Sequence, residues 1–151
     1  MKKILAKPLW FAGLFLIGTV FLFSCEKSNT NAAATAGVFT WSVGGVTYTA
    51  DNDTAFVSGP FTIIAKKDEA SLTGYKIFEI NLSAFATGSY TLTAAGVNQV
   101  NYITNSGVIT SQSGTLNITV NTGSALAGNF TTTLTGGVAM TGNFTDVPIK
   151  P

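Results

Sequence analysis

The side chains able to do chemistry are few and of a narrow kind: seven acids, eight lysines, no histidine, no arginine and one cysteine, Cys25. Without histidine, the usual general base and the commonest metal ligand are both missing. A Ser-His-Asp triad and a histidine-bearing zinc site are therefore excluded. A lone cysteine cannot close an intrachain disulfide, and no Ser-x-x-Lys pattern occurs beyond residue 38. What remains is carboxylate chemistry, since two acids about 5 to 10 Å apart could cleave a glycosidic bond. The candidates are Asp51, Asp53, Asp68, Glu69, Glu79 and Asp146. Only Glu79 falls inside a strand pattern, and it alternates with Phe78 and Ile80, which puts it on a solvent face. The other five read as solvated loop acids. No catalytic residue is assigned, no cofactor is expected, and the chain reads as non-enzymatic.

Two clusters could still bind something. ADNDTA, residues 50–55, offers several oxygens, and Asp51 and Asp53 are its Ca²⁺ candidates. The glycine and closing glutamate of an EF-hand are missing, so the ordinary reading is an Asx-type turn between strands and no metal. Asp53-Thr54-Ala55 also resembles the Asp-Ser/Thr-apolar acceptor of O-glycosylation in Bacteroidota, which makes Thr54 a possible glycosylation site in a loop. Among the aromatics, Trp41, Tyr48, Tyr75, Tyr90 and Tyr102 could form platforms for a sugar. Trp41 alternates in phase with Phe39 and Val43 and belongs to the core, whereas Tyr90 and Tyr102 border turns and are the candidates for exposed, ligand-binding positions.

The elements that must hold these residues are strands. FTWSV, Gly44-Gly45 and VTYTA form a hairpin with a two-residue turn. Further strands are expected at 61–66, 75–82, 89–94, 97–104, 107–111, 115–121, 128–135 and 138–147, separated by turns such as NSG, SQSG and TGG. In TLNITVN, Leu116, Ile118 and Val120 should point inward, with Thr115, Asn117, Thr119 and Asn121 outward. GNFT occurs at 128–131 and again at 142–145, which suggests adjacent strands packing Phe130 and Phe144 inward beside glycines that permit close approach. The expected fold is all-β, a mostly antiparallel sandwich or flattened barrel of about nine or ten strands. Short strands with polar outward faces argue against a transmembrane barrel, which needs an apolar outer band.

The first two dozen residues are of another kind. Lys2, Lys3 and Lys7 precede LWFAGLFLIGTVFLF, an uncharged run of 15 residues from Leu9 to Phe23. That is shorter than the ~20 needed to span a bilayer and has the form of a signal segment. Leu22-Phe23-Ser24-Cys25 resembles the lipobox of bacterial lipoproteins. The resemblance implies cleavage before Cys25, a diacylglycerol on its sulfur and usually acylation of the new amino terminus. At ~0.8 kcal/mol per buried CH₂, two or three chains form a stable membrane anchor where one is marginal. EKSNTNAAATAG follows, too polar to bury anything, and acts as a tether reaching roughly 20 Å. Glu26 is not the Asp associated with inner-membrane retention, so outer-membrane sorting is expected. The domains are thus 1–24 signal peptide, 25–37 lipidated cysteine and flexible tether, and 38–151 one all-β domain.

Removing residues 1–24 takes three of the eight lysines and none of the seven acids, leaving a net charge of −2. The four lysines beyond the tether are scattered apart from Lys66-Lys67, so the clustered cations that nucleic-acid binding needs are missing.

WSVGGVTYTA, YKIFEINL, SGTLNITV, GNFTTTL and the closing TGNFTDVPI are together similar to the small lipoproteins common in Bacteroidota. That family has no assigned activity, so the resemblance implies an envelope location and an all-β fold and transfers no site residue. The partners expected are the membrane, through acyl chains on Cys25, and an envelope protein or a glycan. The expected function is a lipid-anchored, non-catalytic envelope protein of structural or protein-interaction type, the alternative being a carbohydrate- or nutrient-binding surface lipoprotein.

Overall fold

Period-two alternation of apolar and polar side chains gives each strand one face to bury, and two such sheets must cover one another. The computed structural model describes residues 37–68 and 70–151. The signal segment, Cys25, the tether up to residue 36, and Glu69 lie outside the described residues. Ten strands follow one another without a helix between them: β1 Val38–Val43, β2 Val46–Thr49, β3 Asn52–Phe56, β4 Phe61–Lys67, β5 Lys76–Leu82, β6 Gly88–Thr93, β7 Gln99–Thr104, β8 Gly107–Asn121, β9 Ala125–Leu134 and β10 Ala139–Lys150. The Gly44-Gly45 turn between β1 and β2 has φ of 58° and 82°, the left-handed pair that a two-residue hairpin needs.

Seven strands close a barrel in the order β10, β3, β4, β5, β7, β8, β9 and back to β10. β1 and β2 extend outward from β10, and β6 extends from β8. All pairings are antiparallel except that of β10 with β3, where Ile149 and Lys150 run parallel to Ala55 and Phe56. The result is two curved sheets sharing their two longest strands. The first runs β2, β1, β10, β9, β8, β6, and the second joins the far end of β10 to β3, β4, β5, β7 and the start of β8.

Strands that change sheets must bend, and each bend is marked. In β8 the register shifts between Ser111 and Ser113, and Gly114 follows with φ of 151°. SQSG is therefore a bulge within one strand of 15 residues and not the expected turn between two. The two buried polar residues among those described attend this bend. Ser111 Oγ accepts the Val100 amide at 3.0 Å, and Thr132 Oγ1 donates to the Ser113 carbonyl at 2.7 Å. Side chains thus replace ladder bonds that the bulge removes. A second shift between Ile118 and Val120 resets the alternation, so Leu116 and Ile118 are buried while Val120, expected inward, is 46 % exposed. β10 bends between Phe144 and Val147, with Asp146 at φ 52°.

The interior is filled by aromatics. Phe39 stacks on Phe144 with centroids 5.5 Å apart, and Phe78 stacks on Phe130 at 4.8 Å. Each buried side chain of this size contributes about 1.5–3 kcal/mol, and each ring pair about 0.5–1.5 kcal/mol more. The two GNFT repeats meet as expected: Gly142 lies opposite Phe130 and Gly128 opposite Phe144. A Cβ on Gly128 would strike the Phe144 ring, and one on Gly142 would strike the Phe130 ring. Each phenylalanine covers the glycine of the neighbouring strand.

Candidate functional site

The acidic cluster is differently placed than its composition suggests. ADNDTA is no turn, because Asn52–Phe56 is β3, paired along its length with β4. Asn and Asp are poor strand formers, yet here β4 holds them in the ladder, Asn52 opposite Lys66 and Asp53 opposite Ala65. Asp51 precedes the strand, and both its oxygens are occupied: Oδ1 accepts from Lys67 Nζ at 2.7 Å and Oδ2 from the Asp68 amide at 2.8 Å. The Lys67 hydrogen bond foremost, with the Asp68 amide and the Lys67 charge, holds its pKa below the ordinary carboxylate value. Asp53 shares the inward face with Ala55, and partial burial pushes its pKa up. Among the described residues no three His, Cys, Asp or Glu side chains gather as metal ligands. Asp146 occupies the β10 bend. Thr54 is a half-buried strand residue donating to the Asp53 carbonyl at 2.6 Å, and it does not stand in the exposed loop expected of a glycosylation acceptor. Cys25 lies outside the described residues.

The candidate tyrosines are withdrawn from solvent. Tyr102 is in mid-strand on β7, paired with Phe78 and only 6 % exposed. Burial raises its pKa, opposed by the Trp41 indole beside it. Tyr90 is half-buried, donates to the Ala86 carbonyl at 2.6 Å, and is also raised by burial. The expectation that both project from turns fails because Tyr90 shares the inward face of β6 with Leu92, and Tyr102 that of β7 with Val100. Trp41 is in the core, as expected, 1 % exposed. It is stacked beneath Tyr48 at 5.6 Å, and Lys76 Nζ lies 4.9 Å from the centre of the Tyr48 ring. Trp41, Tyr48 and Lys76 thus stack in series. The Trp41 Nε1 is buried without an acceptor in hydrogen-bond geometry.

Chemistry that reaches solvent is therefore on the outer faces, and the two sheets differ. On the first, strand register aligns Thr49, Thr40, Asn143, Asn129, Asn117 and Ser89 in one row. The next row is Thr47, Ser42, Thr141, Thr131, Thr115 and Thr91. No charge and no aromatic ring stands in either row. Neighbours are ~4.8 Å apart across strands and ~6.7 Å along them.

The outer face of the second sheet is mixed. One row reads Asn52, Lys66, Ile77, Ile103, Val108, the next Thr54, Ile64, Glu79, Asn101, Thr110, and the third Phe56, Thr62, Asn81, Gln99. Glu79 is on the outer face as its alternation requires, but it is half-buried and pinned. Its Oε1 accepts from Asn81 Nδ2 at 2.7 Å and from Asn101 Nδ2 at 3.0 Å. Asn81 Oδ1 in turn accepts from Thr62 at 2.8 Å, and Asn101 Oδ1 from Thr110 at 3.1 Å. Four strands thus send their donors in series to one carboxylate. At the edge of this face a cavity of about 320 Å³ is lined by Asn52, Asp53, Thr54, Phe56, Ile64 and Lys66. The residue-type pattern contained Glu79 but not this chain, because its members are spread from Thr62 to Thr110 and only register joins them.

Compared with protein-family models, with curated proteins and with solved structures, the chain matches none.

Proposed function

We propose that the chain is a lipid-anchored cell-envelope protein, held at the outer membrane by acyl chains on Cys25, whose β-domain is non-catalytic and serves as a structural or protein-interaction surface. The observation that carries the second half is the character of the outer faces. An uncharged Thr/Ser/Asn array covers one sheet, the other holds aliphatics around a pinned acid, and the tyrosines a sugar platform would need are turned inward. The first half rests on Leu22-Phe23-Ser24-Cys25 and the basic and apolar segments before it.

A glycan or nutrient is the second reading, favoured by the cavity beside Phe56, where an aromatic ring, the Thr54 hydroxyl and the Asn52 amide come together. Alkynyl-palmitate labelling with membrane fractionation tests the anchor. The native chain should label and pellet with the outer membrane, and Cys25→Ala should do neither. An unlabelled native chain, with Cys25→Ala still in the membrane, overturns the anchor. A dose-dependent rise in melting temperature of the purified full-length protein with an oligosaccharide would transfer the assignment to the second reading.

A further inference from the structure

We infer that the outer face of the second sheet, centred on Glu79, is a docking surface for a protein segment that presents a lysine or arginine among aliphatic side chains, which deepens the protein-interaction function proposed above. Among the described strand residues Glu79 is the one acid on that face; Lys66 stands in the adjoining row, diagonal to it, and Lys150 stands at the far edge, beside Phe56. Oε1 is consumed by two amide donors, and no described residue donates to Oε2. A carboxylate oxygen with a fixed direction is thus presented outward. Ile64 lies directly across from Glu79 on β4, and Ile77 and Ile103 form the neighbouring cross-strand pair. Val108, opposite Ile103, is 60 % exposed and extends the apolar surface to β8.

The hydrogen-bond chain gives this carboxylate two properties. Donors aligned from Thr62 through Asn81, and from Thr110 through Asn101, polarise one another and hold the Glu79 rotamer. The side-chain entropy that an exposed glutamate loses on pairing is therefore largely lost already in the unbound fold. Ile64 across the strand and the Ile77–Ile103 pair in the next row exclude water once covered, which strengthens a charge pair that would be worth little in open solvent. A cation is the complement because the oxygen on offer is an acceptor carrying negative charge, and Asn81 and Asn101 already spend an amide proton on Oε1. An aliphatic flank on the partner is required by Ile64, Ile77, Ile103 and Val108. A sugar is disfavoured here, since no ring on this face stacks beside Glu79.

The test uses the purified full-length chain in detergent micelles with isoleucine methyl NMR. The probe is n-butylguanidinium, an arginine-like cation with an aliphatic tail, and the neutral control is n-butylurea. Saturable shifts at Ile64, Ile77 and Ile103 with the cation, none at the buried Ile63 and Ile80, and about tenfold or greater weakening in Glu79→Gln are expected. Gln retains an acceptor for the two amides and removes the charge, and unchanged Ile63 and Ile80 methyls report that the variant is folded. A second variant, Ile77→Thr, should weaken binding with Glu79 intact. Equal response to n-butylurea, equal response of Glu79→Gln, or shifts of these methyls by maltohexaose in place of the cation overturns the docking surface. The palmitate experiment is independent of all these outcomes, so the anchor and the docking surface fail separately.

Discussion

Asp51 and Asp53 are two residues apart and answer to opposite forces. The folded state lowers the pKa of Asp51 through Lys67 and the Asp68 amide. The stability it contributes is present above its unfolded value of about 3.9 and is lost as pH falls through the lower folded value. For Asp53, burial raises the folded pKa, so its contribution is complete below the unfolded value and is lost as pH rises through the folded one. Asp51→Asn should therefore lower the melting temperature at pH 7, and Asp53→Asn should raise it. Both differences should shrink when the melts are repeated at pH 3. Identical signs at pH 7 would contradict these placements. From sequence the two acids looked equivalent, because nothing local distinguishes a carboxylate before a strand from one on its inward face. Trp41 was legible because Phe39 and Val43 share its alternation, whereas Tyr102 was not, since the turn after Thr104 suggested exposure that its pairing with Phe78 denies.

At the scale of elements, the repeated GNFT is the clearest case of sequence foretelling packing. The two copies are fourteen residues apart, joined by a turn at Gly136-Gly137, and antiparallel pairing then sets each Gly against the other's Phe. Gly142→Ala would press a methyl into the Phe130 ring and toward the Thr40 carbonyl. It should cost about 1–3 kcal/mol in urea unfolding, while Thr141→Ala, next to it on the outer face, should stay within about 0.5 kcal/mol. Equal costs would mean that the ring does not lie over the glycine. β3 and the β8 bend were not legible for the same reason, a turn-like composition that pairing overrides. Asn52-Asp53-Thr54 carries turn-forming side chains but is held as a strand by β4. Ser-Gln-Ser-Gly has the composition of a turn but continues a strand, because Ser111 and Thr132 replace the ladder bonds lost at the bulge.

Over the whole molecule, alternation predicted about nine or ten strands, but closure depends on contacts between distant parts of the chain. The end of β10 reaches back to β3, with Ile149 beside Ala55 and Val57 donating to the Lys150 carbonyl at 3.2 Å. Register across that closed sheet is also what assembles both outer rows and the Glu79 chain, so the surface assigned to binding could not be read from any single segment. The central claim, a membrane-held domain whose working surface is the outer face of the second sheet, is tested most directly in intact cells by a photocrosslinking amino acid placed at Ile103 or at Thr131 in the lipid-anchored chain. The account predicts a discrete adduct from position 103, mapped by mass spectrometry to a lysine- or arginine-bearing protein segment and lost in Glu79→Gln, with none from position 131. Adducts from position 131 alone, or adducts from 103 that persist in Glu79→Gln, would contradict it.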